Sequence, residues 1–164
     1  MGVGWGGVVG WDPGPSLRLS APDLARDLDC SVARAVDLLR TVWRNDPTAV
    51  PLIFSTADPE RVRAEQAEVG PDRAAALVER ALADVARRAV LELGARRLIV
   101  AGGETSGAVT AALAIDTLQL TDVVEPGLAW AVGTGQRTPR VAVLLKSGNF
   151  GAPDLFTTAW ETCP

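Results

Sequence analysis

The sequence contains no histidine and only two cysteines among its 164 residues. Without histidine, Ser-His-Asp hydrolysis, Cys-His hydrolysis and histidine phosphotransfer are excluded, and any proton transfer falls to carboxylates, lysine or water. Cys30 and Cys163 lie far apart in the chain, have no metal-ligand spacing, and indicate two reduced thiols rather than a disulfide. Hydrolase and zinc chemistry are therefore poor interpretations of this chain.

Long apolar runs and basic stripes are also missing. No segment approaches the roughly 18 apolar residues of a membrane helix, and the chain starts without a compact signal segment, so we expect a cytoplasmic location and no membrane partner. The net charge is −4 and the 16 Lys and Arg residues lie mostly along helical segments, so we expect no nucleic-acid partner. A composition of 48% hydrophobic and 22% charged residues predicts a folded globular domain.

Short apolar runs alternate with helical patterns along most of the chain, which predicts an α/β fold. Residues 1–16 are a glycine-rich segment of uncertain structure. The expected helices cover residues 20–44, 71–93, 108–113 and 153–162, and the expected strands cover 50–56, 96–100, 118–120, 128–132 and 141–145. A Gly-Thr-Gly turn segment separates the last two strands and predicts an antiparallel pair. We therefore expect a three-layer, Rossmann-like domain over residues 17–164, with a mainly parallel sheet and a C-terminal antiparallel strand pair.

Two glycine-rich turns carry most of the functional information, and the first is Ala101–Gly107. It follows an apolar run and precedes a helix-like run, so its backbone N–H groups would lie at the positive end of a helix dipole. This helix start is suitable for binding phosphate, because it combines the backbone of Gly102 and Gly103 with the hydroxyls of Thr105 and Ser106. The motif is neither a Walker pattern nor a dinucleotide fingerprint. The alternative is a tight strand-to-helix turn whose hydroxyls cap the helix and bind nothing.

The second turn, Lys146–Gly151, follows the apolar run Val141–Leu145. If both turns lie at the carboxyl edge of one sheet, they meet where open α/β folds bind ligands. Lys146 would then neutralise a phosphate, or it would be solvated like most lysines at strand ends. Asn149 would hold the turn through its own backbone hydrogen bonds, which we favour, or reach the ligand.

At these two turns the chain resembles the nucleotide-binding, carboxyl-terminal domain of the four-carbon acid sugar kinase family. The likeness runs through Ala101–Val109 and Leu145–Gly151, with weaker similarity at Ile53–Pro59 and Glu125–Gly127, and covers roughly residues 17 to 161. In this family an amino-terminal domain binds the sugar acid and the carboxyl-terminal domain binds ATP. The resemblance implies that only the nucleotide-binding domain is present here and that the sugar-acid-binding domain is absent.

The resemblance also implies ATP and Mg²⁺ as cofactors and assigns site residues by position. The backbone at the paired glycines would approach the nucleotide, the hydroxyls would donate to it, and Gly148 would admit a close contact from the second turn. Glu104 would orient a magnesium-bound water or, alternatively, accept N–H groups of a nearby turn. The residues implied in cofactor binding are Gly102, Gly103, Glu104, Thr105, Ser106, Lys146, Ser147, Gly148 and Asn149.

We expect the ATP-binding domain of a kinase for erythronate-like or threonate-like acids, inactive alone because no residue is a convincing general base for a sugar hydroxyl. Its expected partners are a nucleotide, a sugar-acid-binding domain or subunit supplied in trans, and a second copy of the chain in a homodimer. The alternative is a truncated, non-catalytic interaction module that no longer binds nucleotide, since no hydroxyl precedes Ser16 where the family usually carries a serine. A small-molecule binding domain that serves another reaction is a third interpretation.

Overall fold

The computed structural model describes residues 14–148 and 151–164. The chain divides into two compact units, Met1–Val85 and Ala86–Pro164. The expected α/β class is confirmed, and the strands form two sheets, one in each unit. The expectations for residues 1–13 and for Asn149 lie outside the described residues. Within the described ranges, no helix is both long enough and apolar enough to cross a bilayer.

The first unit contains two short parallel strands, β1 (Ser16–Arg18) and β2 (Leu52–Phe54), which pair in register along their whole length. Its helices are α1 (Ala21–Arg26), α2 (Leu28–Asn45), α3 (Pro59–Val69) and most of α4 (Pro71–Leu91), which continues into the second unit. Apolar residues of α2 at helical spacing are buried, as the sequence predicts, and these are Val32, Val36, Leu39 and Val42.

The helix expected over residues 20–44 is interrupted at Asp27. Asp27 has extended backbone angles, and its carboxylate accepts a hydrogen bond from the Cys30 N–H at 2.9 Å. Ser20 caps α1 in the same way by accepting from the Asp23 N–H at 3.3 Å, as expected for a helix start with proline in its first turn. Two successive N-caps therefore divide the helical pattern into α1 and α2.

The second unit contains β3 (Arg97–Ala101), α5 (Gly103–Ala112), β4 (Thr117–Glu125), β5 (Leu128–Thr134), β6 (Val141–Lys146), α6 (Leu155–Thr158) and a 3₁₀ turn (Ala159–Thr162). Its sheet has the order β3-β6-β5-β4. β3 is parallel to β6, whereas β5 is antiparallel to both β6 and β4. The antiparallel pair expected from the Gly-Thr-Gly segment is thus confirmed as β5 and β6.

Alternate residues of this sheet face opposite sides. On one side the sheet packs against α6 and the 3₁₀ turn, in a cluster made of Leu128, Trp130, Ala142, Leu144, Leu155 and Ala159. Trp130 is fully buried and its indole N–H donates to the Ala159 carbonyl at 2.9 Å. The last segment of the chain therefore forms the core on this side of the sheet. The two glycine-rich turns follow the carboxyl ends of β3 and β6.

Candidate functional site

The two glycine-rich turns leave the same edge of the second sheet. Ala101, the last residue of β3, pairs with Lys146, the last residue of β6, because the two strands are parallel and in register. The next amide, the Gly102 N–H, donates to the Lys146 carbonyl at 2.9 Å. The structure therefore brings together the two motifs that the sequence separates by some forty residues.

Helix α5 begins in a turn that only glycine forms without strain. Gly102 has φ +111°, and a Cβ at this position would stand 3.2 Å from the Thr105 Oγ1. No side chain caps the helix, and its first backbone hydrogen bond in the turn runs from the Ser106 N–H to the Gly102 carbonyl at 2.8 Å. The preceding amides, those of Gly103, Glu104 and Thr105, come before that bond and point out of the positive end of the helix.

The residues of this turn differ in their exposure to solvent. Gly103 and Glu104 are exposed and Thr105 is half-buried. A Cβ at Gly103 would meet nothing within 4 Å, so open space lies beside its backbone. Ser106 is buried, and its Oγ has no hydrogen-bond partner among the described residues. A buried hydroxyl without a partner is uncommon because its desolvation is then uncompensated, and it fits a place where a ligand completes the hydrogen bonding.

Lys146 is the positive group of the site. It is 8% exposed, its Nζ donates to the Gly148 carbonyl at 3.2 Å, and the ammonium lies 5.8 Å from the centre of the Phe156 ring. No acidic side chain in residues 14–148 or 151–164 forms an ion pair with it. Burial lowers the pKa of Lys146 below its usual 10.5 because the charged form loses hydration. A bound anion would stabilise the charged form of this ammonium, because it would supply the negative partner that the described residues do not.

The structure thus places eight of the nine expected site residues on two adjoining turns, while Asn149 lies outside the described residues. Ser147 and Gly148 are exposed at the start of the second turn. In the part of the chain that the structure describes, no group of three or more acidic, histidine or cysteine side chains is arranged to hold a metal ion. Glu104 is the one carboxylate within the two turns, and one carboxylate with phosphate oxygens is a ligand set that Mg²⁺ accepts.

An apolar groove on β4, β5 and β6 was not expected from the sequence. It has a volume of about 330 Å³ and is called the groove below. Its lining is mostly apolar with one carboxylate, and consists of Leu118, Leu120, Val123, Glu125, Gly127, Leu128, Ala129, Ala131, Val143 and Leu145. Leu120 and Val123 are 73% and 70% exposed. The signal in the sequence was weak, because the short pattern around Leu118 predicts only three residues of a strand that has nine.

Residues 12–156 match the family model described as the nucleotide-binding C-terminal domain. The chain belongs to this family. The match covers both turns, and it confirms the resemblance to a kinase C-terminal domain that the turns indicate.

Relatives of the chain carry the name of a kinase. A 3-oxo-tetronate kinase of Pseudomonas savastanoi pv. phaseolicola is 41% identical over 156 residues, which cover 94% of this chain and 34% of that protein. A 3-oxo-tetronate kinase of Cupriavidus necator is 43% identical over 145 residues, which cover 88% of this chain and 32% of that protein. The chain thus spans about a third of the length of the curated relatives it matches.

A solved structure shares the fold. A crystal structure of a Salmonella typhimurium protein, provisionally described as a tRNA synthase, is 34% identical and superposes with a TM-score of 0.76. The superposition covers 92% of this chain and 35% of that one.

Proposed function

We propose that this chain is the ATP-binding part of a kinase that phosphorylates four-carbon acid sugars of the erythronate or threonate type. The observation that carries the proposal is the hydrogen bond from the Gly102 N–H to the Lys146 carbonyl at 2.9 Å, which joins the two turns at one sheet edge. The relatives named 3-oxo-tetronate kinase support both the kinase chemistry and the class of acid substrate.

The residues of the two turns suit a triphosphate. The amides of Gly103, Glu104 and Thr105 would donate to phosphate oxygens, the Ser106 hydroxyl would gain the partner it lacks, and Lys146 would neutralise charge. Glu104 would hold Mg²⁺ through a water or directly. Bound ATP with Mg²⁺ would supply the transferable phosphoryl group. The protein's part is to fix the position of the phosphates and to cancel their charge.

The sugar acid needs a further component. Glu104 is assigned to Mg²⁺, and the two turns contain no second carboxylate and no histidine that could serve as the general base for a sugar hydroxyl. We therefore propose that a sugar-acid-binding domain or subunit completes the site and that the isolated chain binds ATP without phosphorylating acid sugars. Turnover of erythronate or threonate by the isolated chain would contradict this. We also propose a cytoplasmic location, where ATP is available.

A substitution at Gly103 tests the proposal. Gly103→Val places a side chain in the open space beside the turn amides, where it would exclude phosphate without meeting neighbouring atoms. We expect MgATP affinity to fall roughly 100-fold, the loss of two or so charge-assisted hydrogen bonds. Gly107→Ala is the matched control, because Gly107 lies one turn along α5, also has open space around it, and should bind MgATP normally.

Isothermal titration calorimetry with MgATP measures the affinity of wild type, Gly103→Val, Gly107→Ala and a fourth protein, Thr105→Val. Thr105→Val should also weaken binding, because it removes a hydroxyl from the turn while keeping the shape of the side chain. Equal affinity in wild type, Gly103→Val and Thr105→Val would refute the proposal that these turns hold the phosphates.

The second candidate is an interaction module that does not bind nucleotide. It is favoured by the exposed apolar residues of β4, Leu120 and Val123, on a strand whose outer edge pairs with no other described strand. A chain of this kind would show no heat of binding at millimolar MgATP and would associate with a second copy as its concentration rises. If wild type binds MgATP and Gly103→Val does not, the interaction-module hypothesis is wrong.

A further inference from the structure

We propose that Glu125 is a positioning residue, and that its carboxylate holds the second turn in the conformation that receives phosphate. The inference rests on the proposed function, because it concerns how one of the two phosphate turns is held. Glu125 is the last residue of β4 and lies outside both turns. It acts through the backbone of the second turn and does not itself contact the nucleotide.

The connection between β4 and β5 lies at the same edge of the sheet as the two glycine-rich turns. β5 runs antiparallel to β6, and Trp130 pairs with Leu144. If this register is continued, the start of β5 at Leu128 is level with the end of β6 at Lys146. Glu125 pairs with Leu128 across the two-residue connection. The backbone of Glu125 is therefore fixed at the edge from which the second turn leaves.

The Glu125 carboxylate accepts a hydrogen bond from the backbone N–H of Ala152, the first residue after the second turn. Its two oxygens lie 3.1 and 3.2 Å from the Ala152 nitrogen. A hydrogen bond to a charged acceptor is stronger than one between neutral groups. The Ala152 carbonyl accepts the N–H of Leu155, the first residue of α6, at 3.1 Å. Ala152 therefore connects β4 to α6 at the point where the second turn ends.

The chain passes closely over the apolar core as it leaves the second turn. Gly151 has φ +97°, and a Cβ at this position would stand 2.6 Å from the Leu155 Cδ2 and 3.2 Å from the Leu128 Cδ1. Both leucines are buried. Only glycine makes this approach without displacing them, so the exit of the turn is held at Gly151 by packing and at Ala152 by the Glu125 carboxylate.

The second turn is thus fixed at both ends. At its start, the Lys146 carbonyl accepts the Gly102 N–H at 2.9 Å, and at its end Ala152 is held by Glu125. Only the five residues 147–151 lie between these two points. Fixing both ends limits the backbone conformations open to Ser147 and Gly148, so less conformational entropy is lost when their amides bind phosphate.

Three substitutions separate the contact of Glu125 from its charge. Glu125→Gln keeps an oxygen that accepts the Ala152 N–H and removes the charge, whereas Glu125→Asp keeps the charge and withdraws the carboxylate by one methylene. Glu125→Ala removes both. We expect MgATP affinity to fall roughly tenfold in Glu125→Asp and Glu125→Ala and to stay within about threefold of wild type in Glu125→Gln. Isothermal titration calorimetry measures these affinities.

Asp122→Ala is the matched control. Asp122 is an exposed carboxylate on the same strand, so this variant removes a similar charge without touching the Ala152 contact, and its affinity should match that of wild type. Hydrogen exchange of the Ala152 amide without nucleotide reports the contact directly. We expect exchange to be roughly tenfold faster in Glu125→Asp and Glu125→Ala than in wild type and Glu125→Gln. Glu125→Asp changes the side chain least and tests the contact even if Glu125→Ala does not fold.

Each outcome has a distinct meaning. If Glu125→Gln weakens MgATP binding as much as Glu125→Ala, the charge of Glu125 matters rather than its contact, and the inference is overturned. If Glu125→Gln and Glu125→Ala both bind more tightly, the carboxylate only repels phosphate, and the inference is again overturned. If Gly103→Val abolishes binding but no Glu125 variant changes it, the proposed function stands and the inference falls. If wild type binds no MgATP, the proposed function fails and the inference fails with it.

Discussion

Lys146 shows how a single side chain can oppose folding and favour binding. Its ammonium is buried at the end of β6, where it contacts the Gly148 carbonyl and the Phe156 ring but no acidic side chain among the residues described, so its desolvation is only partly compensated. A phosphate would supply the missing charge. A residue kept for structure alone would stabilise the unliganded protein, whereas Lys146 should destabilise it.

Replacing Lys146 should therefore have opposite effects on stability and binding. For Lys146→Met at neutral pH we expect the free energy of unfolding to rise by about 1 kcal/mol, since a buried charge is lost. MgATP affinity should fall by roughly tenfold to 100-fold, because a charge-assisted contact is lost. Urea denaturation and calorimetry of the same preparation measure both. A variant that is less stable and binds ATP normally would show that Lys146 has a structural role only.

The pH dependence of stability follows from the lowered pKa of Lys146. In the unfolded chain the side chain titrates near 10.5, and in the folded protein it loses its proton at lower pH. The unfolded state thus binds more protons between these two values, so wild-type stability should rise relative to Lys146→Met as the pH increases through that window. ATP affinity of wild type should fall over the same range. Parallel stability curves for the two proteins would contradict this.

Ala114 adopts a conformation that favours glycine. It has φ +49° directly after the C-cap of α5, and the Ala114 and Ile115 amides donate to the Ala111 and Thr110 carbonyls at 2.9 and 3.0 Å, a Schellman motif. We expect Ala114→Gly to raise the free energy of unfolding by about 1 kcal/mol in thermal or urea denaturation. Ala108→Gly, in the interior of α5, should lower it by about 1 kcal/mol. Destabilisation by Ala114→Gly would refute this reading.

Among the helices and strands, α3 depends on one ion pair more than on apolar packing. It contains no buried residues, yet the carboxylate of Glu65 accepts two hydrogen bonds from the Arg18 guanidinium of β1, at 2.8 and 2.9 Å. The Arg18 Nε also donates to the Thr56 carbonyl at 3.0 Å. Both side chains of the pair are mostly shielded from solvent. Arg18 and Glu65 therefore join β1, the segment that follows β2, and α3 within the first unit.

Removing the charge of Glu65 should weaken the contact between α3 and Arg18 of β1. We expect Glu65→Gln to lower the free energy of unfolding by about 2 kcal/mol, because the half-buried Arg18 loses its charged partner, whereas Glu68→Gln on the exposed side of α3 should change it by less than about 0.5 kcal/mol. Urea denaturation measures both changes. Equal effects of the two substitutions would contradict the assignment.

In wild type, low pH should remove the stabilisation that the pair of Arg18 and Glu65 provides. Burial alone would raise the pKa of Glu65, but the hydrogen bonds and charge of Arg18 hold it below its usual 4.5. The stabilisation is then fully present above pH 4.5 and is lost as the pH falls through the lowered pKa of folded Glu65. Glu65→Gln should lack this part of the acid dependence.

The sequence predicts elements that have an apolar period and misses those that depend on particular polar contacts. The buried stripe of α2 and the antiparallel pair of β5 and β6 follow from their patterns. The break at Asp27 and the helix α3 do not, because a capping carboxylate and a long-range ion pair leave no periodic signal. The full length of β4 is missed because its residues are exposed on both faces.

The site was predictable to a similar extent. The positions of the two turns after apolar strands indicate a shared edge, and the structure bears this out at Ala101 and Lys146. The burial of Lys146, the unpartnered hydroxyl of Ser106 and the groove depend on how distant strands pack, which local sequence patterns do not encode.

At the scale of the whole molecule, we propose that the chain provides the nucleotide half of a two-substrate site. It spans about a third of its curated relatives and offers the residues suited to a nucleotide, while those suited to a sugar acid belong to the component that we propose to complete the site. The isolated chain should therefore be tested for ATP binding rather than for phosphoryl transfer.

The most direct test follows backbone amide resonances during titration with MgATP. If the turns hold the triphosphate, the largest chemical-shift changes should fall on Gly103, Glu104, Thr105 and Ser106 and on Ser147 and Gly148, while the Schellman turn at Ala114 stays unchanged. Saturating MgATP that leaves the amide resonances of both turns unchanged would contradict the proposal that these turns hold the triphosphate.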